Sequence, residues 1–237
     1  MKEYHLPVKS KKLISENVIS LTFDISGTDF KFRSGQYITV RLIDPVHEDY
    51  KQNIRSFSIV NPPHIKNEIS VVIRLSGSGF SKNIIESVPG MLAAVSEPMG
   101  NLNLEINMNI TDVFIAGGVG ITPFKSMIED LLHLGHSNEI ILFYSNRNKS
   151  SAAFLDEFFE LSEKHSHFKF IPVVDDVNDE MWNYEKGFIS AEMLRKYISD
   201  LSKPVYHIVG PPQMVDSVLK ILSDNGVDTK NIKTERY

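Results

Sequence analysis

Residues 53–63 read NIRSFSIVNPP, a β-forming run with a cation and two hydroxyls threaded through it. Ile54, Phe57, Ile59 and Val60 suit a strand, whereas Arg55, Ser56 and Ser58 do not suit a buried one. Arginine pairs well with phosphate. An aromatic ring beside it offers a flat face to a heterocycle. A surface ion pair on an edge strand would explain Arg55 equally simply. A second cluster, RLSGSGFSKNI at 74–84, sets Gly77, Gly79 and Ser81 where a helical pattern begins. Backbone N–H groups at such a start, unscreened by side chains, receive pyrophosphate.

Two more glycine clusters lie in the second half. In IAGGVGITPF, residues 115–124, Gly117, Gly118 and Gly120 stand between an apolar strand and a helix, with Thr122 as a candidate cap and Pro123 in the first turn. The spacing is G-x-G-x-x-P rather than G-x-G-x-x-G, so a nucleotide loop and an ordinary strand–helix turn both satisfy it. In YHIVGPPQM, residues 206–214, Gly210 and Pro211 follow another strand. Two such turns on one carboxyl edge describe the ends of a single nucleotide crevice. After IILFY come Ser145, Asn146, Arg147, Asn148, Lys149 and Ser150, with no acid before Asp156. That composition leans toward the 2′-phosphate of NADPH, although a solvated loop accounts for it too.

Positioning these groups takes two kinds of scaffold. VISLTFDI, QYITVRLI, EISVVIRL and GMLAAVSEP alternate or run as short strands between turn residues. With one helical signal, SKNIIESV at 81–88, they predict an antiparallel β-barrel. From residue 112 strands alternate with helices: DVFIAGG, then TPFKSMIEDLLHLG, EIILFY, AFLDEFFELSEK, FKFIPVV, Ser190 capping AEMLRKYI, PVYHIVG, and PQMVDSVLKILSDNG. This order predicts a doubly wound parallel α/β sheet. The boundary is expected within EINMNIT, 105–111, giving domains 1–108 and 109–237.

Composition removes several chemistries. The chain has 237 residues and no cysteine, so a thiol nucleophile, a thiolate zinc site and a cysteine-ligated iron–sulfur cluster are excluded within it. Redox chemistry would need an organic cofactor. His165 and His167 flank Ser166, and His133 precedes His136, without matching carboxylates, so no metal ligands are assigned. A net charge of -5 with interspersed signs disfavours nucleic acid. MKEYHLPVKSKK lacks the apolar core of a signal peptide, and no apolar run approaches the roughly 20 residues of a membrane helix. A cytoplasmic protein is expected.

These segments, in order, resemble the ferredoxin–NADP reductase superfamily, whose members join a flavin-binding barrel to a pyridine-nucleotide α/β domain. GQYITV (35–40), RSFS (55–58), GSGFSKNI, PMGNLNL (98–104), AGGVGITP, FYSNR, VGPPQM and the terminal ERY are similar to its successive motifs. The resemblance implies FAD as cofactor and NAD(P)H as donor, with hydride passing to flavin N5 and electrons then leaving to an acceptor. It implies Arg55 on FAD phosphate, Phe57 against the isoalloxazine, Ser58 near N5 with Ser56 in the same set, and Gly79, Phe80 and Ser81 on the pyrophosphate. Gly118, Gly120 and Thr122 would face the nucleotide pyrophosphate, Arg147 its ribose side, and Gly210 and Pro211 its nicotinamide end. Tyr237 would stack on the flavin with Glu235 beside the nicotinamide, so that Ser58, Glu235 and Tyr237 form the catalytic set. Val209 stands where many relatives have cysteine. The implied acceptor is a ferredoxin, a flavodoxin, an oxygenase component or a diffusible molecule. Reduction of free flavin as substrate, or service as an electron-transfer subunit of a larger complex, are the alternatives.

Overall fold

The structure, a computed structural model, describes residues 2–102, 110–176 and 181–236. The expected domain boundary at 108/109 and the terminal Tyr237 lie outside the described residues. By contact the chain forms two compact units, residues 1–104 with 122–134 and residues 105–121 with 135–237.

The first unit is a closed antiparallel barrel. Its strands are β1 (Glu3–Ser15), β2 (Val18–Asp24), β3 (Tyr37–Leu42), β4 (Ile54–Ser58), β5 (Glu68–Arg74) and β6 (Leu92–Ser96), in the order β4-β3-β6-β1-β2-β5. The ends meet where Ile59 bridges Val71 and the Val60 N–H donates to the Ser70 carbonyl at 2.9 Å. Alternation sends Leu21, Phe23, Ile38, Val40, Ile69 and Val71 inward to one core. The long β1 is not read from the sequence. Its inward Leu6 and Val8 flank Pro7, and Lys9, Lys11 and Lys12 follow them.

Helix α1 (Gly79–Glu86) caps the barrel through buried Phe80 and Ile84. It begins two residues before the expected start because Ser78 is its N-cap, its Oγ accepting from the Ser81 N–H. The β3–β4 connection, residues 43–53, is long for a hairpin, where about 2–5 residues suffice. Helix α2 (Ile121–His133) groups with this unit; its Ser126 Oγ donates to the Asn61 carbonyl at 2.9 Å.

The second unit holds a parallel sheet of β7 (Asp112–Gly117), β8 (Ile140–Asn146), β9 (Phe168–Val174), β10 (Glu185–Lys186), β11 (Val205–Gly210) and β12 (Ile232–Arg236), ordered β10-β9-β8-β7-β11-β12. Every residue of β7 is buried, as expected of a strand covered on both faces. Helices α3 (Leu155–Lys164), α4 (Ala191–Tyr197) and α5 (Pro212–Asp224) connect the strands, and Ser190 caps α4 as read.

Candidate functional site

On β4, Arg55 is held rather than free. Its Nη2 meets Asp49 Oδ1 at 2.8 Å and Oδ2 at 3.0 Å, and its Nη1 donates to the Ile54 carbonyl at 2.8 Å. Its guanidinium carbon lies 5.3 Å from the ring centroids of both Tyr50 and Phe80. The Asp49 side chain is 0% exposed and that of Arg55 19%. Asp49 also accepts from the Phe80 N–H at 3.1 Å, at the start of α1, and from the Lys51 N–H at 2.9 Å. Burial pushes the Asp49 carboxyl up, but the Phe80 and Lys51 amides and the Arg55 charge outweigh it and hold it below the usual carboxylate range.

The other expected flavin residues divide. The Phe57 ring leans on Phe80, centroids 5.8 Å apart and tilted 36°, and packs against the barrel core. Ser56 Oγ lies 3.0 Å from Thr39 Oγ1. Ser58 pairs with Tyr37 in the ladder. Ser81 is buried, and its hydroxyl accepts from the Ser76 N–H at 3.1 Å, so it closes the 76–81 turn. Gly79 has to be glycine, since a Cβ there would stand 1.9 Å from the Glu48 carbonyl oxygen.

In the second unit the predicted residues collect on the carboxyl edge of the sheet. Gly117 and Gly210 are adjacent; a Cβ on Gly210 would come within 3.3 Å of Gly117 N and 2.5 Å of Met214 Cε. Gly118 takes the left-handed φ of 53° and opens a 3-10 turn through Gly120. That turn runs straight into α2, so Thr122 is the second residue of the helix and not the residue before it, as the capping reading had it. Pro211 precedes α5 as its N-cap. Glu235, on β12, is level with Val209 on β11, and burial pushes its carboxyl up.

Three residues escaped the sequence reading. Asp49 sits in the polar tract HEDYKQN, where an acid looks solvated. Asp175 follows β9; its Oδ1 is 3.4 Å from Ser145 Oγ at the end of β8. Burial raises its carboxyl, and the Ser145 hydroxyl and the Arg147 charge offset this in part. The segment directly after β8 carries no acid before Asp156, and Asp175 arrives instead from the neighbouring strand. Asn146 is 6% exposed, and neither atom of its amide has a partner among the described residues. An orphaned amide at this edge fits a ligand with donors and acceptors of its own.

A family model described as an oxidoreductase FAD-binding domain matches residues 5–104, and one described as an oxidoreductase NAD-binding domain matches residues 114–220. The chain belongs to the ferredoxin–NADP reductase superfamily. The phenol 2-monooxygenase reductase component DmpP of Pseudomonas sp. strain CF600 is 28% identical over 98% of this chain and 66% of its own length. The chain thus spans about two thirds of curated relatives of this kind. A ferredoxin NADP+ reductase from Neisseria gonorrhoeae, solved with FAD and NADP, superposes with a TM-score of 0.84 at 19% identity over 100% of this chain and 99% of that one. The FAD/NAD-binding domain of a Vibrio cholerae nitric oxide dioxygenase gives 0.86 at 21% identity, covering 98% of each. As a superfamily member the chain is a flavoprotein oxidoreductase with FAD-binding and NAD-binding domains. The donors beside α1 suit a phosphate, for they already hold an anion of like charge. No helix among the described residues is long and apolar enough to cross a membrane.

Proposed function

We propose that the chain is a reductase that accepts hydride from NADH onto FAD and delivers electrons to a separate acceptor protein, such as a ferredoxin, a flavodoxin or an oxygenase component. The observation that supports this reading is the anion, Asp49, held between Arg55 and the Phe80 amide, a pair of donors that suits a phosphate as well. Bound flavin supplies an acceptor for two electrons that can release them singly. The protein binds, orients and shields. Arg55 and the first amides of α1 hold phosphate, Phe57, half-buried and backed by the core residue Phe80, offers the apolar face, and the Ser58 hydroxyl, without a partner among the described residues, is available to the ring system. Gly118, at its left-handed φ of 53°, opens the turn proposed to face the nucleotide with Gly120 and Thr122, Gly210 and Pro211 border its nicotinamide end, and Glu235 flanks that end.

The nucleotide preference is assigned to NADH, against the lean of the loop composition, because Asp175 stands beside Ser145 and Arg147. A carboxylate there receives two ribose hydroxyls and repels a 2′-phosphate. The role of acceptor protein is drawn from relatives whose names make them reductase components of phenol, terephthalate and anthranilate oxygenases.

Heat release and chromatography of the bound flavin test the cofactor, FAD being expected and FMN alone contradicting it. Steady-state NADH oxidation with ferricyanide, then with candidate acceptor proteins, tests the reaction; a chain that oxidises NADH with none of them is not the reductase described. Reduction of free flavin is a second reading, favoured by one fact: Arg55 and the Phe80 amide already hold the chain's own Asp49. A colourless protein that oxidises NADH only when flavin is added would establish it in place of retained FAD.

A further inference from the structure

The connection of residues 43–53 folds back over α1 as a strap. Buried Asn83, 7% exposed, staples it: Oδ1 accepts from the Val46 and His47 amides at 3.0 and 2.9 Å. Its Nδ2 donates to the His47 carbonyl at 2.8 Å and to Asn53 Oδ1 at 3.0 Å. His47 Nε2 meets Glu86 Oε1 at 2.8 Å. Between these fixed ends lies a tip, residues 48–52, whose Tyr50 is 82% exposed. The tip lays the Glu48 carbonyl against Gly79 and inserts the Asp49 carboxylate between Arg55 and the Phe80 amide.

We propose that Asp49 is a resident anion that competes with flavin phosphate, and so sets which flavins this chain retains. The inference rests on the reading of Arg55 and the start of α1 as the flavin phosphate site. Two anions cannot share one guanidinium and one amide in a buried setting without strong repulsion. FAD must therefore displace the tip, whereas a flavin without phosphate leaves it closed. Asp49 lowers the affinity for phosphorylated flavins alone and makes the chain a weak holder of FAD relative to a barrel whose arginine is unoccupied. The Asn83 staple keeps the ends in place, so opening is confined to residues 48–52.

Dissociation constants for FAD and riboflavin, read from flavin fluorescence on the full chain, test this in wild type, Asp49→Asn and Asp49→Asn/Arg55→Ala. Losing one charge at a charge-assisted contact predicts FAD binding about ten- to a hundredfold tighter in Asp49→Asn, with riboflavin unchanged. Unchanged or weaker FAD binding in Asp49→Asn, while the double variant still loses FAD, overturns the competition and leaves the phosphate site standing. FAD binding unaffected by the added Arg55→Ala overturns the site itself and the competition with it. Hydrogen exchange supplies a measurement that needs no variant. FAD should speed exchange at the Lys51 and Gln52 amides, which now bond to Asp49, and riboflavin should not. Equal protection with both flavins would overturn the proposal.

Discussion

Arg55 neutralises Asp49 and is proposed to hold flavin phosphate, and its substitution separates the two roles. Arg55→Ala removes the cation beside a fully buried carboxylate, so it should lower Tm as well as FAD affinity. Asp49→Asn/Arg55→Ala should regain most of the lost Tm while FAD stays weak, and calorimetry with flavin titration checks both. Equal melting of the single and double variants would mean that the pair does not stabilise the strap. Asp175→Ser should raise kcat/KM for NADPH over NADH by about tenfold or more, since one charge repulsion near a phosphate is worth at least that factor. An unchanged ratio would remove Asp175 from the ribose site. Glu235 has a clear sign. Burial raises its folded pKa above the unfolded value, so the folded state binds the extra proton between the two values. Stability falls as pH rises through that window and levels off above it. Glu235→Gln should therefore gain on wild type across the window and run parallel to it on either side. Tm against pH for both proteins decides, a constant offset being the contrary result. These residues were unequally legible. Arg55 stood out because a charge inside a β-forming run demands a partner. Asp49 did not, because its burial arises from a long-range fold-back of the strap and leaves no local pattern.

At the scale of elements, periodicity carried most of the reading. β2 and β3 alternate, β5 and β6 hold runs of consecutive buried residues, and β7 to β9 and β11 are short apolar runs, so strand type follows from burial on one face or two. β1 was hidden because its pairing with β2 and β6 buries only a few positions, leaving the lysines to dominate the composition. The start of α1 depended on Ser78 capping, one serine among several in that stretch. The strap belongs to this scale as well. Asn83→Ala would leave the Val46 and His47 amides without their acceptor, at a cost of about 1–3 kcal/mol. Loosening the strap should also speed FAD association, measured by stopped flow. Faster unfolding with unaltered FAD association would make Asn83 a purely structural staple.

In the whole molecule, one unit is a barrel in which Arg55 and the start of α1 hold the Asp49 carboxylate, and the other a parallel sheet whose carboxyl edge gathers Gly118, Asn146, Asp175, Gly210 and Glu235. The proposed function requires that NADH reduce FAD bound to this chain. The most direct measurement is anaerobic titration of the FAD-reconstituted full chain with NADH, following the visible absorbance of the flavin. The absorbance should bleach in proportion to added NADH, the bleaching being complete near one equivalent. Visible absorbance that persists under excess NADH, with FAD still bound, would contradict it.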